Sequence, residues 1–203
     1  MVWYLIYILT IVGIFWFLIW FIIKFISLSY SAYKGAPYVP TKMREVHTIL
    51  SLTDLKKGQR FVDIGCGDGR VVREAVIRYG VEGYGVDINP ILIQQARKKA
   101  HGVTNLLFDV QDVRTMSFSG YDIIYIYMLP QFIQLIQDRL FTEARDDCLI
   151  ISHWFKLQGW EDYLEKSPHT GQFYTYYYRL PPQRDRTVSQ KSISNHNHSL
   201  EKK

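Results

Sequence analysis

Phe61-Val62-Asp63-Ile64-Gly65-Cys66-Gly67-Asp68-Gly69-Arg70 is the stretch whose reading decides the fold. FVDI (61–64) is a short apolar strand that ends at a glycine. Residues 70–79, RVVREAVIRY, space their apolar side chains as a helix does and stop at Gly80. Three glycines at alternate positions join the two. They let the backbone turn tightly and let a ligand approach it closely. The helix start beyond them offers unpaired N–H groups to an anion. A Walker loop would end in Gly-Lys-Ser/Thr, which is absent. A dinucleotide fingerprint would need its third glycine where Arg70 stands. The spacing is G-x-G-x-G, with Asp63 two residues before the first glycine.

Downstream the pattern repeats. EGYGVDI (82–88) is a second strand, and Asn89 with Pro90 makes a strong start for the helix that follows. NLLFDV (105–110), YDIIYIYML (121–129), CLIISHWF (148–155) and FYTYYYRL (173–180) read as further strands, and PQFIQLIQDRLF (130–141) as a helix. WEDYLEKS (160–167) is open between helix and strand. The alternation predicts an α/β fold: a Rossmann-like, doubly wound, mostly parallel sheet. Asp87 ends the second strand, where a carboxylate can accept from both hydroxyls of a ribose. Asp112 follows the third strand, where it could accept from an adenine amine. A lone glycine turn or a lone strand-end acid is commonplace. The three features in sheet order point to an adenosine-bearing ligand.

The chain has 203 residues and a net charge of +5. Residues 2–23 hold no charged side chain. As helix they span roughly 33 Å, enough for a hydrocarbon core of about 30 Å. Trp3, Tyr4 and Tyr7 near one end, and Trp16, Trp20 and Phe21 toward the other, suit the two interfaces. A cleaved signal peptide would want a basic start and a shorter apolar run. No Lys or Arg precedes the run, whereas Lys24, Lys34, Lys42 and Arg44 follow it. That asymmetry predicts a single-pass anchor with its N-terminus outside and the domain in the cytoplasm. The reading divides the chain into a transmembrane helix at 2–26, a linker at 27–45, the domain at 46–180 and a disordered tail at 181–203. Much of the positive charge lies in the tail, so the domain lacks the bulk basicity of a nucleic-acid binder. Two cysteines, Cys66 and Cys148, exclude a disulfide framework and a multi-cysteine zinc site, and no metal is expected.

VDIGCGDGR, GYGVDIN and NLLFDVQDVRT together resemble the first three motifs of class I S-adenosylmethionine-dependent methyltransferases. The resemblance covers about residues 37–180. It implies S-adenosylmethionine as cofactor, with Gly65, Cys66, Gly67 and Gly69 under its methionine part and Asp63 near its amino group. It further implies Asp87 and Ile88 at the ribose, and Asp112 and the Val113 backbone at the adenine. A narrower resemblance lies in the N-terminal span, APYVPT (36–41) and YMLP (127–130). It is to the membrane-anchored protein-lysine methyltransferases that modify the ATP synthase c-subunit and the adenine nucleotide translocase. In that family the PYVP element closes over the cofactor, which makes Tyr38 and Thr41 site candidates. A stiff linker is the plainer reading of the same prolines. The family also carries a β-hairpin after the fifth strand, which tips WEDYLEKS toward strand.

The resemblance makes the expected activity lysine methylation of an integral membrane protein. The cofactor's methyl is already activated, so the protein must place a neutral amine in line with it. An apolar channel helps keep the amine neutral. Tyr127, Leu129 and Pro130, at the end of the fourth strand, are the candidates for the methyl-transfer mouth. His153 is a candidate base against the plainer reading of a structural imidazole. Three rivals stand: methylation of a membrane quinone or lipid, methylation of nucleic acid, and a non-catalytic cofactor-binding membrane protein.

Overall fold

The structure, a computed structural model, describes residues 1–34 and 38–186. The chain divides into two units, Met1–Val39 and Pro40–Lys203. The first is built on one helix, α1 (Val2–Lys34), which runs past the expected limit at residue 26. Its stretch Val2–Ile23 is long and apolar enough to cross a membrane. Nearly all its described side chains are exposed, Trp16 at 64% among them. A helix apolar on every face is one that buries itself in something else.

The second unit begins with α2 (Met43–Ser51), a helix that the sequence reading did not draw. It straddles the expected boundary between linker and domain. Val46, Ile49 and Leu50, spaced three and four apart, are its buried side chains. Then follow β1 (Arg60–Ile64), α3 (Arg70–Tyr79), β2 (Glu82–Asp87), α4 (Pro90–Lys99), β3 (Leu106–Val110) and β4 (Ile123–Ile126). The chain continues through α5 (Pro130–Glu143), β5 (Leu149–His153), a 3-10 turn (Glu161–Tyr163), β6 (Leu164–Lys166) and β7 (Thr175–Arg179). The ambiguous segment 160–167 is thus 3-10 turn first and strand after.

The sheet runs β3-β2-β1-β4-β5-β7-β6. The first five strands pair in parallel, and β7 pairs antiparallel with both β5 and β6. The expected Rossmann-like sheet with a C-terminal hairpin is present. Alternate residues along β1 feed opposite faces. Phe61 joins α2, α3 and α4 through Ile49, Val72 and Ile93. Val62 and Ile64 join α5 through Ile133, Ile136 and Leu140. β4 is shorter than the expected 121–129. Its ladder ends where Ile64 pairs Ile126, because β1 turns away at Gly65 and leaves Tyr127 no partner on that side.

The tail also differs from its expected disorder. Residues 181–186 are docked, and Arg186 is 3% exposed. Its guanidinium donates to the carbonyls of Phe141, Ala144, Arg145 and Pro181, each at 2.7 Å. Composition marks this segment as polar. It cannot show that the C-terminus of α5 leaves carbonyls in need of donors. Residues 187–203 lie outside the described residues.

Arg186→Ala should therefore cost about 2–4 kcal/mol, since several charge-assisted bonds to buried carbonyls go at once. Arg184→Ala, on an exposed side chain, should cost less than about 0.5 kcal/mol. Denaturant unfolding of the full chain in detergent checks both.

Candidate active site

The carboxyl ends of β1, β2, β4 and β5 meet where the strand order switches direction, the usual ligand crevice of an open α/β sheet. The loop after β1 is drawn over β2 by two bonds: the Gly65 and Cys66 amides both donate to Val86 O, at 2.8 and 2.9 Å. Gly65, Gly67 and Gly69 have φ of 74°, 55° and 72°. At Gly69 a Cβ would come within 2.5 Å of the Phe108 ring, so both the backbone angle and the space exclude a side chain.

Asp87 ties the next corner. Its Oδ2 accepts from Gly67 N at 2.9 Å and its Oδ1 from Asn89 N at 2.8 Å. Burial raises its pKa, and these two amides oppose the rise. The Gln111 amide donates to Asp87 O at 3.0 Å, which brings the exit of β3 to the same corner. Beyond it, Asp112 takes Arg114 in a fork and accepts from the Arg114 amide at 2.9 Å. Ile88 and Val113 are part-exposed beside these acids.

Two further acids line the loop. Asp68 is buried, and burial works against its charge. Arg70, at 2.8 Å to each oxygen, and Lys99 nevertheless hold its carboxyl well below the usual range. Arg70 also donates to Thr41 O at 2.8 Å, fastening the start of this unit to the loop. Asp63 has no such help. Burial pushes its pKa up to about 8, and the Asp87 and Asp68 charges add to the rise. The Val72 amide pulls the other way. Asp63 Oδ2 is buried without a hydrogen-bond partner among the described residues.

The other wall is aromatic. Met128 lies 3.5 Å from where a Gly65 Cβ would be. Tyr127 meets the His153 ring edge-on at 4.8 Å. Leu129 and Pro130 follow at the start of α5, part-exposed and exposed. His153 is 1% exposed, its Nδ1 is 2.8 Å from Thr175 Oγ1, and burial takes its pKa down to about 4. A neutral, locked imidazole positions Tyr127 and is poorly suited to take up a proton. Trp154 holds φ 74°, an uncommon angle for a bulky residue, and donates its amide to Tyr174 O at 2.8 Å. Its ring stacks on Phe173 at 3.8 Å. A separate cleft lined by Asp54, Asp122, Arg145 and Asp147 lies at the opposite, amino-terminal end of the strands.

The expected residues Thr41, Asp63, Gly65, Cys66, Gly67, Gly69, Asp87 and Ile88 gather around the glycine loop. Asp112 and Val113 sit across β2, and Tyr127, Leu129 and Pro130 lie on the β4 side. Tyr38 belongs to the first unit. The Cys66 thiol is buried, and burial pushes its pKa up, as for a packing residue. Among the described residues no three His, Cys, Asp or Glu side chains are grouped to hold a metal. Sequence reading missed the roles of Asp68, Lys99 and Phe173. The Asp-x-Arg spacing of Asp68 and Arg70 was a usable signal; for the others there was none.

Comparison with known proteins bears on this geometry. The family model described as the ANTKMT methyltransferase domain matches residues 63–163. The ATP synthase C-subunit lysine N-methyltransferase of Xenopus laevis is 34% identical over 127 residues, 61% of this chain and 55% of that one. The chain thus spans about half the length of that relative. A protein-lysine N-methyltransferase of Saccharolobus islandicus (strain REY15A) is 27% identical over 61% of this chain and 80% of that one. Among solved structures, an RNA methyltransferase from Salinibacter ruber, in complex with S-adenosyl-L-homocysteine, superposes with a TM-score of 0.67. It is 29% identical and covers 70% of this chain and 94% of that chain.

The Asp63 carboxyl yields a pH signature in the ligand-free protein. Between its ordinary pKa near 4 and its folded value of about 8, the unfolded chain binds fewer protons than the folded one. Stability therefore falls as pH rises through that window, and levels off above it. Asp63→Asn should gain on the wild type by up to about 1 kcal/mol per pH unit from pH 5 to 8. Denaturant unfolding at several pH values checks the slope.

Proposed function

We propose, from the match of residues 63–163 to the ANTKMT methyltransferase domain model, a membrane-anchored, S-adenosylmethionine-dependent protein-lysine methyltransferase. Its substrate is a lysine close to the cytoplasmic face of an integral membrane protein. α1 is its single-pass anchor, N-terminus outside. The observation that carries the cofactor is the orphaned Asp63 Oδ2 beside the glycine loop. A buried carboxyl held up to about 8 in isolation is matched by a ligand's cationic amino group.

The other residues fit the same group. Each Asp87 oxygen accepts one amide and keeps lone-pair capacity for a ribose hydroxyl. Asp112 and the Val113 backbone suit the adenine edge. Gly65 and Gly67 leave the loop backbone open to close approach. Thr41, pinned to the loop through Arg70, suits a cover over the cofactor.

When bound, the cofactor supplies an activated methyl on a sulfonium. The protein's own share is placement and desolvation. Tyr127, Leu129 and Pro130 flank the approach to the methyl, where the amine must have shed its proton before it can attack. The proton leaves to water, since His153 is neutral, buried and bonded to Thr175. RNA is the second reading, favoured by the Salinibacter ruber likeness. Incubating membranes and cytosol with methyl-labelled cofactor separates the two. Label on a membrane-protein lysine supports the proposal; label confined to RNA, to lipid or to nothing sinks it.

Asp87→Ala should weaken S-adenosylhomocysteine binding by about 1.5–3 kcal/mol or more in calorimetry, because charge-assisted bonds are lost and two loop amides are freed. Unchanged affinity removes Asp87 from the cofactor site.

The anchor is separately testable. Residues 27–36 reach no more than roughly 36 Å even fully extended, so a tethered mouth stays near the headgroups and sees membrane substrates at raised effective concentration. Replacing residues 1–26 by a soluble tag should keep cofactor affinity and sharply reduce methylation in cells. An equal rate denies the anchor a part in choosing substrate.

A further inference from the structure

We propose that Glu45, together with the rings of Tyr127, Trp154 and Phe173, forms a subsite that receives a primary alkylammonium, the charged end of the target side chain. This rests on the methyltransferase reading above and names what recognises its substrate.

Glu45 stands at the edge of the buried stripe of α2, one turn before Ile49 and next to Val46. It is part-buried, and no described residue forms an ion pair with it, although ion pairs are plentiful elsewhere in this unit. The loop between β6 and β7 closes against it. A Cβ at Gly171 would come within 2.6 Å of Glu45 Cδ and 2.7 Å of Oε1, so a side chain there would push the Glu45 carboxylate aside. The Gln172 amide points at Oε1 from 3.4 Å. That same loop supplies Phe173, whose ring stacks on Trp154 at 3.8 Å, and Trp154 lies 6.3 Å from Tyr127. The Glu45 charge is felt at the Tyr127 phenol, whose pKa rises through burial first and through Glu45 second.

The arrangement brings a carboxylate that has no ion pair among the described residues to the same end of the sheet as three aromatic side chains, at the carboxyl ends of β4 and β5. Trp154 remains 40% exposed there. It is held at a strained backbone angle, a cost that structures tolerate where a side chain must be aimed. Ring faces attract a cation and accommodate its alkyl stem, and the carboxylate supplies a hydrogen-bonded counter-charge. A phosphate or a nucleic-acid backbone would be repelled by the same group.

The test uses n-butylammonium as probe and n-butanol as its uncharged counterpart, with the full chain in nonionic detergent and S-adenosylhomocysteine present. Saturation-transfer NMR reads probe affinity and calorimetry reads S-adenosylhomocysteine affinity. Glu45→Gln keeps an oxygen for the Gln172 amide and removes the charge. It should weaken butylammonium binding tenfold or more, with butanol and S-adenosylhomocysteine unaffected. Trp154→Leu should weaken both butyl probes. Equal butylammonium affinity in wild type and Glu45→Gln, or no binding by the wild type, overturns the subsite. So does a Glu45→Gln protein that also loses S-adenosylhomocysteine, which would make Glu45 a folding residue. The methyltransferase reading fails differently: wild type would bind butylammonium yet not S-adenosylhomocysteine, or would label no lysine.

Discussion

The Asp87 carboxylate, taking the Gly67 amide on one oxygen and the Asn89 amide on the other, is the joint on which the second unit's working end depends. It lies at the tip of β2, yet it bonds to the loop after β1 and to the cap of α4. Without it two turns would present buried amides to nothing, and each such orphan is costly. With it, the glycine loop has one conformation, and α4 starts where the Asn89 side chain can cap Ile91 N at 2.9 Å. The Val86 carbonyl one residue earlier receives two amides from the same loop. The tip of one strand thus sets the shape of its neighbour's turn.

That economy brings three carboxyls close together, and they are handled in three ways. Asp68 is neutralised by Arg70 and Lys99. Asp87 accepts from two backbone amides, which oppose the cost of its burial. Asp63 is left buried with one oxygen unserved. A chain selected for stability alone would have no reason to keep an acid there, because burying an unpaired charge forces it to hold its proton. Such a local inconsistency, in a unit whose other polar groups are mostly satisfied, belongs where a ligand completes the set. The Trp154 backbone angle is a second inconsistency of the same type, at the opposite wall of the crevice.

The hairpin of β6 and β7 gives the fold its particular character. β7 covers the edge of β5, and its Tyr177 hydroxyl donates to Ile49 O at 2.9 Å, so α2 is held by the far end of the chain. The loop between the hairpin strands then reaches Glu45, and Lys166 of β6 donates to Leu52 O. α2 and the hairpin, distant in sequence, support one wall. A mutation in either should therefore be felt in the other.

Short-range physics made much of this legible in advance. Glycines that need positive φ, a proline after an Asn cap and strands of β-branched residues act over a few residues, so the order of elements, the parallel sheet and the acids at its strand tips could be read from the chain. So could the unbroken apolar run of α1. What the chain alone could not show were contacts whose partners lie far apart. Gly171 and Glu45 meet across a hairpin. Arg186 serves carbonyls at the end of α5, which turned an expected disordered segment into a docked one. α2 was hidden because its nine residues carry too few apolar positions to announce a helix until a sheet lies beneath them. The sequence determined which residues could turn, cap and pair locally. The tertiary structure decided which charges are compensated and which rings face one another, because burial and long-range proximity exist only once the chain has closed on itself.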